Sequence, residues 1–192
     1  YDNVIGVCGT HGKTTVTSMI TQILIQSNCE PTAVIGGRLP LINANGIAGN
    51  SEYMVCESCE FVDTFLQLSP DMAVLLNIDN DHLDYFKTMD NLCASFRKFT
   101  DMSKVAIFNG DDKRVQKISE SYKGQGITFG LGADNDYTAV NITDGICGKR
   151  FTVTKSGRSL AQISLQIPGE HNVYNALATI AICIKNENNA YI

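Results

Sequence analysis

The sequence predicts an α/β domain: a mainly parallel sheet flanked by helices, ending in a small antiparallel β meander. Three observations carry that expectation. Apolar strand-like runs alternate with helix-period segments up to about residue 130. A glycine-rich turn joins the first strand to the first helix. From residue 137 to 167 the alternation stops, and three β-rich runs follow one another with turn residues between them.

Composition bounds the rest. The 192 residues are 44% apolar and 18% charged, enough for one domain, or one and a small appendage, with a full core. A net charge of −5 and the lack of any basic run argue against nucleic acid as a partner. No apolar stretch is long enough to span a bilayer and no signal peptide opens the chain, so a cytoplasmic location without membrane contact is expected. The seven scattered cysteines are then expected to be reduced thiols. Cys56-Glu57-Ser58-Cys59 spells C-x-x-C, but a structural zinc site needs a second closely spaced pair, which is missing. The chain starts on a strand without methionine and stops soon after a helix, so it is expected to be one domain cut from a longer protein. Its oligomeric state is not legible.

Val4-Ile5-Gly6-Val7-Cys8 reads as a short buried strand, and the apolar residues at 16, 19, 20, 23 and 24 recur at helical spacing. Between them lies Gly9-Thr10-His11-Gly12-Lys13-Thr14-Thr15. A strand, a glycine loop and a helix whose first turn holds Gly-Lys-Thr form a P-loop. Its backbone N–H groups and helix N-terminus cradle phosphate, Lys13 reaches the outer phosphates, and the Thr14 hydroxyl is placed for Mg²⁺. The commoner spacing would put glycine at position 7, where this chain has Val7.

Thr32–Ile35 is expected as a second strand, followed by a long surface loop from Gly36 to Ser51, rich in Gly and Asn. Tyr53–Cys56 is a strand ending on Glu57, the expected placement of a Mg²⁺ ligand beside the first strand. A short helix over Glu60–Leu66 precedes the apolar strand Asp71–Ile78. That strand empties into Asp79-Asn80-Asp81-His82-Leu83-Asp84, a cluster of metal-capable groups at the sheet edge where ligands bind. Met89–Met102 reads as a helix, Val105–Asn109 as a strand, and an Asp of Gly110-Asp111-Asp112 as the cap of a helix through Tyr122. Gly126–Gly130 is a further strand. The meander holds Tyr137–Val140, Arg150–Thr154 and Gln162–Ile167, and is expected to pack beside the main sheet. His171–Ala181 forms the last helix, with His171, Asn172 and Asn175 on its first turn. All three histidines, His11, His82 and His171, stand at element junctions, which favours one assembled site.

Gly9–Thr15, Glu57, Asn80-Asp81-His82-Leu83-Asp84 and Gly169-Glu170-His171-Asn172-Val173-Tyr174-Asn175-Ala176 together resemble the Mur ligase family over nearly the whole chain. The resemblance is to the family's central, ATP-binding domain; the amino-terminal UDP-binding and carboxy-terminal domains would lie outside residues 1–192. It implies that residues 9–15 hold the ATP phosphates, with Lys13 on the β- and γ-phosphates. Thr14 and Glu57 would bind one Mg²⁺, and His82 a second. His171, Asn172 and Asn175 would meet the adenine. Lys13, Glu57 and His82 would thus be the catalytic set. The implied reaction activates a carboxylate as an acyl phosphate that an amine then attacks. Within the family, His11 and the run from Gly169 to Asn175 favour the branch joining L-alanine to UDP-N-acetylmuramate in peptidoglycan precursor synthesis. Sister branches, which recycle a muramoyl tripeptide or build cyanophycin or folylpolyglutamate, compete, as does a nucleotide-binding module without activity of its own. Several relatives carry a carbamylated lysine where this chain has Arg97 next to Lys98, so that device is not expected here.

Overall fold

The computed structural model describes residues 1–187. The strands are β1 (Asn3–Cys8), β2 (Thr32–Leu39), β3 (Ala44–Ile47), β4 (Tyr53–Glu57), β5 (Met72–Leu75), β6 (Val105–Asn109), β7 (Gln125–Gly130), β8 (Tyr137–Asp144), β9 (Lys149–Lys155) and β10 (Arg158–Ser164). They form one sheet in the order β10-β9-β8-β7-β6-β5-β1-β4-β2-β3. From β2 through β8 every neighbouring pair is parallel. The edges formed by β3, β9 and β10 are antiparallel. The helices are α1 (Lys13–Gln26), α2 (Leu83–Phe86), α3 (Met89–Asp101), α4 (Lys113–Ser121) and α5 (His171–Glu187).

The central strands are apolar without alternation because both faces are covered. Met72 and Val74 of β5 and Ile107 of β6 point to the core shared with Val16, Ile20 and Leu24 of α1 and Val173 and Leu177 of α5. Their neighbours Ala73, Leu75, Ala106 and Phe108 point the other way, to Leu92, Phe96 and Phe99 of α3 and Val115 and Ile118 of α4. The period of two along each strand thus becomes two cores on opposite faces. β1 sits between β5 and β4, which puts the P-loop at the carboxyl edge of a central strand.

Four expectations need correction. Gly36–Ser51 is not a long loop: β2 continues to Leu39 and returns as β3, with Ala33 opposite Ile47 and Leu39 opposite Ala44. Ile35 and Leu39 are buried there, and a ladder of backbone hydrogen bonds tolerates the intervening glycines. The meander extends the main sheet instead of packing beside it, because β7 and β8 pair in parallel through Phe129–Tyr137 and Gly130–Thr138. The strand expected over Asp71–Ile78 stops at Leu75, where the chain turns to brace the P-loop. The helix expected over Glu60–Leu66 is a 3₁₀ segment, Phe61–Gln67, broken by left-handed Val62 (φ 55°) and Asp63 (φ 56°). Asp112 caps α4 as expected, its Oδ1 accepting from the N–H groups of Arg114 and Val115 at 2.8 and 3.1 Å.

Candidate active site

The loop leaving β1 adopts backbone angles that side chains resist. Gly9 has φ 131° and Gly12 φ 90°, and a Cβ on Gly12 would lie 2.6 Å from Asn175 Oδ1. Glycine is therefore required at both points. The loop is held from the segment that follows β5: Thr10 N–H donates to Asn77 O at 3.0 Å. The Asn77 side chain grips the His11 peptide from both sides, Oδ1 accepting from His11 N–H at 2.8 Å and Nδ2 donating to His11 O at 2.9 Å. Asp79 N–H donates to the buried Thr10 hydroxyl at 2.9 Å. The His11 ring itself is solvent-facing, 3.7 Å from an equally exposed Asp79.

Thr14 and Glu57 meet across the sheet edge as the sequence implied. Glu57, the last residue of β4, accepts from the Thr14 hydroxyl at 2.9 Å through Oε1 and from Gly36 N–H at 2.6 Å through Oε2. A hydroxyl and a carboxylate in contact form an all-oxygen donor set that suits a hard ion such as Mg²⁺. Lys13 folds back on its own loop, Nζ donating to Gly9 O at 2.6 Å and to Glu60 Oε2 at 3.0 Å. The two side chains are 14% and 1% exposed. At that separation and an effective dielectric of about 20, the attraction is about 5 kcal/mol before desolvation is charged against it.

Glu60 links Lys13 to His82. Glu60, Asp81 and His82 present ligand atoms all within 4.8 Å of one another, the one such group among the described residues. The His82 ring packs on Phe61, centroids 4.8 Å apart, and its backbone is left-handed at φ 51°. Asp63 anchors the same turn by accepting from Tyr85 Oη at 3.1 Å and from the Ser95 hydroxyl. Cys56 and Cys59 take no part in this group, and no disulfide joins them. Arg97 and Lys98 line a separate groove with Arg114 and Lys117 between α3 and α4.

On the other side of the P-loop lies a cavity of about 540 Å³, whose walls include His11, Gly12, Asn77, Asp111, His171, Tyr174 and Asn175. His171 and Asn175 thus reach the space beside the phosphate loop. Asn172 does not line it: this residue is buried, Nδ2 donating to Pro168 O at 2.6 Å and Oδ1 accepting from Asn175 Nδ2 at 3.0 Å. It orients Asn175. Thr15 faces a different groove, between α1 and α5.

Asp111 closes the far wall of the cavity, accepting from Leu131 N–H at 2.6 Å, Asn135 Nδ2 at 2.8 Å and Tyr174 Oη at 2.9 Å. Burial alone would raise its pKa, but these hydrogen bonds outweigh burial and hold the carboxyl below the usual carboxylate range. Burial, then the bond to Asp111, pushes the Tyr174 phenol well above its ordinary value.

Glu60, Asn77 and Asp111 are the site residues that sequence reasoning did not single out. Glu60 and Asp111 sat inside segments assigned to a helix and its cap, and Asn77 inside an apolar strand. Only Glu60 carried a signal, as a second carboxylate three positions after Glu57.

Fold and site together define a P-loop α/β domain with a Thr14–Glu57 contact at its sheet edge and a pocket beside its glycine loop. The chain belongs to the Mur ligase family, whose middle-domain model matches residues 7–183. It is 44% identical over 189 residues to a UDP-N-acetylmuramate–L-alanine ligase of Caldicellulosiruptor bescii, an alignment covering 96% of this chain and 42% of that protein. A solved UDP-N-acetylmuramate–alanine ligase from Thermotoga maritima superposes with a TM-score of 0.85 at 28% identity, covering 99% of this chain and 42% of the other. A UDP-N-acetylmuramate:L-alanyl-γ-D-glutamyl-meso-diaminopimelate ligase from Neisseria meningitides gives 0.82 at 25% identity, covering 94% of this chain and 60% of that one. The chain thus spans about two fifths of the curated relative's length. No described helix is long and apolar enough to cross a membrane.

Proposed function

We propose that this chain is the ATP-binding middle domain of an ADP-forming amide ligase that joins L-alanine to UDP-N-acetylmuramate. The observation that carries the reading is the contact of Thr14 Oγ1 with Glu57 Oε1 at 2.9 Å, where the first turn of α1, opened by Lys13, meets the end of β4. Phosphoryl transfer between two anions depends on concentrated positive charge and alignment more than on covalent chemistry. Lys13 would supply a fixed cation to the outer phosphates, and the loop amides and the α1 N-terminus would orient them. Thr14 and Glu57 would hold one Mg²⁺ and His82 a second; the ions would neutralise charge on the transferred group. His171 and Asn175 would face the base, with Asn172 holding Asn175 in place. The acyl phosphate formed on the muramoyl carboxylate would then be attacked by the alanine amine, releasing phosphate.

The choice of alanine over a tripeptide rests on curated relatives named alanine ligases at 42–44% identity, and among solved structures on 28% identity and a TM-score of 0.85 for the alanine ligase beside 25% and 0.82 for the diaminopimelate ligase. Both acceptor substrates would lie largely against domains outside residues 1–192, so this chain alone should bind Mg·ATP weakly and form no amide. Calorimetric titration of Mg·ATP into residues 1–192 and into its Lys13→Ala variant tests the site. Binding should be lost or severely weakened in the variant. Equal affinity in the two would remove the phosphate loop from the argument.

A further inference from the structure

Glu60 is buried and left without a task by the roles assigned above. Its carboxylate stands between an ammonium and a pair of metal-capable side chains. On one side is Lys13 Nζ at 3.0 Å. On the other are Asp81 and His82, whose ligand atoms lie within 4.8 Å of its own and of each other. Lys13 Nζ is shared between Gly9 O and Glu60, so a phosphate that draws the ammonium off Glu60 takes that carboxylate's cation away. A carboxylate only 1% exposed is not stable alone once that happens. Another cation has to replace the ammonium, and Asp81 and His82, within 4.8 Å, are able to help hold one.

We propose that Glu60 is a positioning residue with two successive partners. It holds the Lys13 ammonium in the nucleotide-free protein and, when phosphate draws Lys13 away, joins Asp81 and His82 as a ligand of a divalent cation. The proposal rests on the roles given to Lys13 and His82 above. It makes Lys13 and the cation rivals for one carboxylate without nucleotide, and makes nucleotide and cation mutually reinforcing when both are present. The surrounding turn is built to keep this reach fixed: Phe61 packs on the His82 ring at 4.8 Å, and Asp63 is tied to Tyr85 at 3.1 Å.

The test is Mn²⁺ titrated by calorimetry into the nucleotide-free, full-length protein. Lys13→Met should gain Mn²⁺ affinity by about tenfold over wild type, within the usual range of coupling between sites. Lys13→Met/Glu60→Gln and Lys13→Met/His82→Ala should both return to the wild-type value. No gain in Lys13→Met, or a gain that survives Glu60→Gln, overturns the proposal. If circular dichroism shows Lys13→Met unfolded, wild type and Glu60→Gln carry the test with ADP. Glu60→Gln should then lose about tenfold in Mn²⁺ affinity with ADP bound, while ADP affinity in EDTA holds or rises. Loss of ADP affinity in EDTA with unchanged Mn²⁺ binding is the contrary result. Full ADP binding by Lys13→Ala would defeat the P-loop reading itself. A Glu60→Gln protein that behaves as wild type, beside a Lys13→Ala protein that cannot bind ADP, would defeat this proposal alone.

Discussion

Replacing Asn77 by alanine should cost nucleotide affinity although Asn77 needs no contact with phosphate. Its side chain holds the His11 peptide through two hydrogen bonds, at 2.8 and 2.9 Å, while Thr10 N–H is held separately by the Asn77 backbone carbonyl at 3.0 Å. The substitution therefore frees the two peptide groups flanking His11 and leaves the Gly9–Thr10 peptide anchored. Each lost bond is worth about 0.5–1.5 kcal/mol net, and the exposed setting favours the lower half, so the pair amounts to about 1–2 kcal/mol. If that ordering has to be supplied on binding, ADP affinity falls by about 5- to 30-fold. Asn77→Asp sharpens the comparison: it keeps the acceptor for His11 N–H but loses the donor and adds negative charge beside the phosphate site. It should bind ADP more weakly than Asn77→Ala despite keeping one more loop bond. Calorimetric titration of ADP, paired with thermal unfolding of each variant, reads both effects. An Asn77→Ala protein that binds ADP within about twofold of wild type, a difference of about 0.4 kcal/mol, would show that the loop does not depend on this brace.

Two other outcomes follow from the site. His82→Ala in the full-length enzyme should cut turnover far more than ATP affinity, because the second ion would act on the transferring group; an unchanged rate returns His82 to an ordinary loop histidine. Asp111→Asn should destabilise the domain at pH 7, and the gap should narrow in acid. The folded-state pKa is depressed, so the carboxylate's contribution is complete above the unfolded value of about 3.9 and fades as pH falls through the folded value. Urea unfolding at pH 7 and about pH 3 checks this, and an equal gap at both would contradict it.

The parts of the fold written in local pattern were legible. β1, the loop and α1 follow from an apolar run, two glycines in left-handed conformation and helical spacing. Glu57 was legible because a strand-end carboxylate near a P-loop has few other uses, and it lies where expected, on the strand beside β1. The β2–β3 hairpin was not, since Gly36 and Gly37 carry no side-chain alternation and the pairing is a backbone matter. Glu60 and Asn77 escaped for a different reason. Their partners lie 47 and 66 residues away, and only the sheet order that sets β4 and β5 on either side of β1 brings them to the loop. Asn172 shows the reverse case: helical phase placed it beside Asn175 correctly, but burial turned its amide inward and gave it a supporting task.

The account stands most directly on what the full-length protein does with its substrates. ADP release should be followed in a coupled assay with ATP, Mg²⁺ and UDP-N-acetylmuramate, against a panel of single amino acids and the L-alanyl-γ-D-glutamyl-diaminopimelate tripeptide. The account predicts ADP release that requires both UDP-N-acetylmuramate and L-alanine, with one phosphate freed per amide formed. ADP release driven by the tripeptide and not by L-alanine, or independent of UDP-N-acetylmuramate, would contradict it.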